Sequence, residues 1–199
     1  MDFVTEGGHP GRAGLRMRDM VGAMVVLVVI IGGIMAFWGS CSFSPGGPTV
    51  DPGSAPTADA GAALERAAKS VTFPVRQPTV PKGWRANSTA TSSVGSGASG
   101  DVIVRVGWVT ASGAYVQLSQ SGGEAADVLV EETGREEAPE ATGSVTVDDV
   151  TWKSYPARRD EPAWVIELDG AVLLITGSAP ESEFRQLATA TQKAPPLAT

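Results

Sequence analysis

Residues 163–176 read AWVIELDGAVLLIT. Two apolar runs, Ala163–Leu168 and Val172–Thr176, flank Asp169-Gly170, a dipeptide that accepts the positive φ values of a two-residue type I′ turn. The stretch therefore reads as an antiparallel hairpin, and its neighbours extend it. Upstream, Val145–Val150 and Thr151–Tyr155 are two more short strands, broken by Asp148-Asp149 and followed by a Pro-bounded loop from Pro156 to Pro162. Downstream, Pro180–Thr191 carries Phe184, Leu187 and Ala188 at helical spacing, opened by Ser178 or by the Ala179-Pro180 step, with Glu181 and Glu183 in the first turn.

Further upstream the pattern is again mixed. An acidic loop, Arg135–Gly143, follows a short helix over Glu124–Thr133, where Ala125, Val128 and Leu129 recur at helical spacing. Val102, Val104, Val106 and Trp108 alternate with Ile103, Arg105 and Gly107, the period of a strand with one well-buried face. Ala111–Ala114 connects that strand to an alternating run at Tyr115–Gln120, making a second hairpin. Pro81-Lys82-Gly83 is a turn that delivers Trp84 into a strand over Trp84–Ala90, and Ser92–Gly100 is a flexible loop. Ala60–Val71 is an amphipathic helix with Asp59 as N-cap, broken by Phe73-Pro74. The order helix, three strands, helix, four strands, helix predicts an α+β domain over 59–194, an antiparallel sheet with flanking helices covered on one face, with a C-terminal tail at 195–199.

The first 58 residues differ in kind. Met20–Trp38 holds no charge, and at about 1.5 Å per residue it reaches the roughly 30 Å of a bilayer's hydrocarbon core. The span 20–38 is expected to be a transmembrane helix. Its apolar core is longer than that of a cleavable signal, and Phe37 and Trp38 stand where a signal peptidase needs small residues. A lipoprotein signal ending at Cys41 and a cleaved signal remain the alternatives. Arg12, Arg16 and Arg18 precede the span and the next basic residue after it is Arg66. The positive-inside bias thus predicts a cytoplasmic tail at 1–19, unstructured, and an extracytoplasmic C-terminal domain. Gly32 and Ala36 form one small-xxx-small pair, most simply lipid-facing. Residues 39–58, rich in Pro and Gly, cannot bury enough surface to offset their ordering entropy and read as an extended tether.

Composition narrows the chemistry. Fifteen basic against 22 acidic residues leave a net charge of −7, which argues against a nucleic-acid partner. One cysteine and one histidine, His9, remove a disulfide framework, cysteine-rich zinc sites and Ser-His-Asp arrangements in the outer domain. Asp148-Asp149 and Asp160-Glu161 read as turn residues rather than calcium ligands, and Glu131, Glu132, Glu136, Glu137 and Glu140 as a solvated acidic stretch. No Walker loop or nucleophile elbow occurs. No cofactor, metal or catalytic residue is assigned. Trp84, Trp108, Trp152 and Trp164, with Tyr115 and Tyr155, read first as sheet-packing residues and secondarily as the lining of a pocket on the uncovered face. Tyr155, Arg158 and Arg159, in and beside the Pro-bounded loop, are the candidate contact residues, because Tyr and Arg are favoured at interfaces.

Four segments carry a resemblance: Arg16–Met20 at the entry to the span, Val80-Pro81-Lys82-Gly83-Trp84, Arg105–Tyr115, and Thr176–Ala179 before the last helix. In this order, from Arg16 to about Gln192, the chain resembles the actinobacterial single-pass membrane proteins of the domain-of-unknown-function 4245 family. The resemblance implies a membrane location and this architecture; the family has no assigned activity. The expected function is a non-enzymatic ligand- or protein-binding module of the cell envelope, with the membrane itself and an envelope protein or a small apolar ligand as partners. A carboxylate-dependent envelope hydrolase and a purely structural envelope component are the alternatives. The ligand, the oligomeric state and the lipidation of Cys41 stay open.

Overall fold

The computed structural model describes residues 12–37, 57–95 and 101–198, the side chains of 12–18, 32 and 34–37 excepted. His9, Cys41, most of the expected tether and residues 96–100 of the Ser92–Gly100 loop lie outside the described residues. The chain divides into two compact units, Met1–Asp51 and Pro52–Thr199.

In the first unit, α1 runs from Arg12 to Phe37. It begins within the tail that was expected to be unstructured, since Leu15, Arg16, Met17 and Arg18 are good helix formers and extending an existing helix needs no new nucleus. Among the described residues no helix is long and apolar enough to cross a membrane. The expected span Met20–Trp38 runs beyond them at its C-terminal end. Within them, large apolar side chains from Met20 to Ile31 are 47–70% exposed.

The second unit is built from α2 (Ala60–Ala68), β1 (Arg85–Val94), β2 (Asp101–Val109), β3 (Tyr115–Ser121), α3 (Ala125–Thr133), β4 (Gly143–Val147), β5 (Val150–Pro156), β6 (Pro162–Leu168), β7 (Ala171–Gly177) and α4 (Glu181–Lys193). The strands form one antiparallel sheet in the order β1-β2-β3-β7-β6-β5-β4. The chain lays down β1–β3 as a meander, crosses through α3 to the far edge, and returns as β4–β7 until β7 closes on β3. Turn chemistry drives this. Asp169 and Gly170 take φ of 51° and 84° between the paired residues Leu168 and Ala171, and Asp148 and Asp149 take 46° and 66° between Val147 and Val150. Both are two-residue loops whose twist matches the strands.

Both faces of the sheet carry apolar cores. Val104, Val106, Trp108, Leu118, Trp152, Trp164, Leu173 and Ile175 pack under α2 and α4 in the larger one. Ile103, Val165, Val172 and Leu174 pack under Val128 and Leu129 of α3 in the smaller. The expectation of a sheet covered on one face is thus corrected. Its cause is visible in residues 171–175, AVLLI, buried without alternation as in a strand with protein on both sides. The four tryptophans, read first as sheet-packing residues and secondarily as a pocket lining, are all buried in the larger core, and Trp84 precedes β1 instead of lying on it. Trp164 meets Phe184 of α4 edge to face, with ring centroids 5.2 Å apart, a geometry worth about 0.5–1.5 kcal/mol beyond area burial.

The helix ends follow local rules. Asp59 caps α2, its Oδ1 accepting from the Ala62 amide at 2.9 Å. The helix stops at Ala68, short of the predicted Val71. Pro180 opens α4, while the Ser178 hydroxyl accepts from the Tyr115 amide and ties α4's entry to β3. The chain stays paired beyond α4: Leu197 donates to the Val75 carbonyl, and Arg76 bridges to Pro196. Arg76, 5% exposed, holds this corner by binding the Ala194 carbonyl and Asp169, while its backbone exchanges hydrogen bonds with the Gln120 amide.

Candidate functional site

Because α3 has only nine residues, it leaves part of the second sheet face open, and a groove of about 330 Å³ lies beside it. The strand period sets its floor. Arg105 pairs with Ser119, Gly107 with Gln117, and Val109 with Tyr115, so these residues of β2 and β3 share one face, continued by Thr176 of β7 opposite Gln117. The walls are Glu131 and Glu132 of α3 on one side and Arg158 and Glu161 of the β5–β6 connection on the other.

A charged network holds the floor to the wall. Arg105 Nε donates to Glu132 Oε1 at 2.5 Å, Nη1 to Ser92 Oγ at 2.6 Å and Nη2 to Glu131 Oε1 at 3.1 Å. Ser119 Oγ donates to Glu132 Oε1 at 3.0 Å, and Gln117 Nε2 to Glu132 Oε2 at 2.9 Å. The Glu132 carboxylate, 7% exposed, thus accepts from three donors. Such bonds are short and strong when well satisfied, and the buried charge would be costly without them. The network also answers a local problem: two glutamates in the last turn of α3, with no basic residue there, face the negative end of the helix dipole.

Arg158 supplies the second answer. Its Nη2 donates to the Glu131 carbonyl at 3.3 Å, one of the last carbonyls that α3 cannot satisfy itself. It lies against Gly134, which ends α3 at φ 65°; a Cβ there would sit 2.5 Å from Nη2. The segment carrying Arg158 is a single 3₁₀ turn in which Arg159 and Asp160 take φ of 56° and 60°. For L-residues the left-handed region costs about 1–2 kcal/mol each. The turn is closed by Ala157 N to Glu161 O at 2.8 Å and Glu161 N to Arg158 O at 3.0 Å. Strain of this kind concentrates where a chain is held for a purpose.

One aromatic borders the groove. The Tyr115 ring leans across β2 onto Gly107, where a Cβ would sit 2.2 Å from Oη and 2.7 Å from Cε2. Its hydroxyl donates to Gln117 Oε1 at 3.0 Å and meets Ser88 Oγ at 3.3 Å. A half-buried phenol is thereby laid flat on the sheet beside a row of amide, hydroxyl and carboxylate groups.

Of the three predicted contact residues, Arg158 lines the groove, Arg159 is exposed at the strained tip, and Tyr155 packs against the smaller core, facing a different hollow between β5 and β6. A family model described as "Protein of unknown function (DUF4245)" matches residues 12–191. The chain belongs to this family. No curated protein and no solved structure matches this DUF4245 protein. Among its described residues no group of three or more His, Cys, Asp or Glu could hold a metal ion.

Sequence reasoning missed Arg105, Gln117, Ser119 and Glu132 in this DUF4245 chain, while Tyr115, read secondarily as a pocket lining, does border the groove. The signal was present. Arg105, Gln117 and Ser119 are polar residues in strands that otherwise pack on both sides, and a polar residue on an interior strand must find a partner. Glu131 and Glu132 were counted with the solvated acidic stretch; only the docking of α3 brings Glu132 out of water.

Proposed function

We propose that this protein is a membrane-anchored, extracytoplasmic, non-enzymatic binding module whose groove takes a small, polar ligand of near-neutral charge. The observation that carries the reading is the groove itself: two guanidinium groups and three carboxylates line it together with amide, hydroxyl and phenol groups. That chemistry suits a hydroxyl-rich molecule such as a saccharide unit better than the small apolar ligand expected from strand tryptophans. A non-enzymatic role is supported by Glu132, whose oxygens are engaged by Arg105, Gln117 and Ser119 and therefore poorly placed to exchange a proton with a substrate.

Anchoring is supported by the uncharged run Met20–Trp38, by the three arginines before it, and by the exposure of the large apolar side chains of α1 from Met20 to Ile31. A reporter active only outside the cytoplasm should work when fused after Thr199 and be silent before Met1; the reverse would overturn the orientation. For the groove, the full chain in detergent is titrated with neutral saccharides, and Gln117→Ala and Tyr115→Ala should each abolish binding that Ser182→Ala leaves intact. Equal binding by all three variants would sink the proposed site. Saccharide hydrolysis that disappears in Glu132→Gln would replace the binding reading with the hydrolase.

A further inference from the structure

The two edges of the sheet are treated differently. At β4 the edge is five residues long, and Arg185 of α4 reaches over to the Thr146 carbonyl at 2.8 Å. Short, obstructed edges of this kind are how proteins prevent strands from pairing with other chains. β1 is ten residues long and carries no charge and no proline from Ala86 to Val94. Asn87 to Thr91 and Ser93 are exposed. One outward carbonyl, that of Ala86, is taken by the Ala58 amide at 2.9 Å, beside the single register shift of the strand between Ala86 and Ser88. Beyond it, among the described residues, no backbone group outside the sheet pairs with the ladder of peptide groups at Ser88–Ser92.

The sequence of that ladder says what fits it. Ser88-Thr89-Ala90-Thr91-Ser92 is a palindrome centred on Ala90. A two-fold interface requires that residue i face j while j faces i. An antiparallel pair of these segments centred on Ala90 meets that condition with like on like: Ala90 opposite Ala90, Thr89 opposite Thr91, Ser88 opposite Ser92. Cross-strand Thr–Thr and Ser–Ser pairs are favourable, and the absence of charge removes the repulsion that self-pairing otherwise brings.

We propose that β1 pairs antiparallel with β1 of a second copy of this chain, about a two-fold axis at Ala90, joining two seven-stranded sheets into one. Thr89 and Thr91 lie on the α2 side of the sheet, opposite Val106 and Val104, and border a cleft of about 400 Å³ between α2 and the edge. Pairing places the second copy's threonines beside this cleft and extends its floor. The ladder ends where Ala58 occupies Ala86 and where Gly95, at φ 79°, turns the chain out of the strand.

Disulfide trapping in the full chain reads the register directly. In a Cys41→Ser background, Ala90→Cys places two thiols at the antiparallel Cα separation of about 4.5–5.5 Å, within disulfide reach. Thr89→Cys alone leaves its copies roughly 8 Å apart from the strand rise and spacing, which is out of reach. The expected result is a disulfide dimer for Ala90→Cys, none for Thr89→Cys or Thr91→Cys alone, and a mixed dimer when those two are combined. Ala90→Lys, which sets two ammonium groups face to face, should abolish the sedimenting dimer with an unchanged circular dichroism spectrum. Cross-linking of Ala90→Cys no greater than that of Ser182→Cys on α4 would overturn the proposal. So would equal trapping at positions 89, 90 and 91, or a dimer that survives Ala90→Lys.

Discussion

Gly107→Ala separates the groove's geometry from the stability of the fold. The new methyl group would sit 2.2 Å from Tyr115 Oη, 2.7 Å from its Cε2 and 2.4 Å from Ser88 Oγ. All three are far ends of side chains, so the backbone of β2 can stay in register while Tyr115 swings away and Ser88 changes rotamer. The ring then loses its bond to Gln117 and its contact with Ser88, a loss of about 0.5–1.5 kcal/mol for the hydrogen bond. Against this, replacing glycine within a strand recovers about 0.5–1 kcal/mol of unfolded-state entropy. The two nearly offset. The expected change in unfolding free energy is below about 1 kcal/mol by urea denaturation of the full chain, followed by tryptophan fluorescence. In the same variant the Tyr115 ring resonances, assigned with Tyr115→Phe, should move, and saccharide binding to the groove should be lost. A loss above about 3 kcal/mol, the range of core disruption, would mean that Tyr115 cannot leave and that β2 itself is distorted. Unshifted ring resonances would mean that Tyr115 does not lie on Gly107, and the account of the groove floor would fail.

Trp152→Ala should destabilise the second unit by about 3–5 kcal/mol, since the ring is fully buried. Trp152→Phe should lose much less, because it also removes an indole N–H that has no hydrogen-bond partner among the described residues. Both are read by denaturant midpoint. Asp169→Asn should destabilise more than Arg76→Met although Asp169 is 63% exposed, because it leaves the buried Arg76 guanidinium without its counter-charge, whereas Arg76→Met leaves a solvated carboxylate and one uncharged group, the Ala194 carbonyl, without that donor. The reverse order in thermal melts would refute that reading. Hydrogen bonds from Lys193 and Thr189 hold the Asp148 carboxyl below its ordinary value. Its contribution is therefore present above pH about 4 and lost as the pH falls through the lowered value. Asp148→Asn should lower the melting temperature at pH 7 and leave it unchanged near pH 2, and an equal decrease at both would contradict the linkage.

Most of the strands, their antiparallel hairpins and the three helices of the second unit were legible in the sequence because each rests on local physics, whereas the closure of β7 on β3 was not. The period of two at Val102–Trp108, the paired positive-φ residues at Asp169-Gly170 and the Asp59 cap act over a few residues and need no distant partner. Three things were decided only by the tertiary structure. Burial of both sheet faces depends on where α3 docks, and nine residues at helical spacing do not say which face they will cover. The groove depends on Glu132, Arg105, Gln117 and Ser119 meeting across three elements, α3, β2 and β3; in the sequence each is an ordinary polar residue, and its role exists only once low dielectric forces it to find the others. Arg158 stood out early through its residue type and its loop, but its function as a clamp on the end of α3 required the carbonyl of Glu131 and the missing Cβ of Gly134 to arrive beside it. Period and turn chemistry are properties of neighbouring residues, whereas a site is a property of residues that only folding makes neighbours.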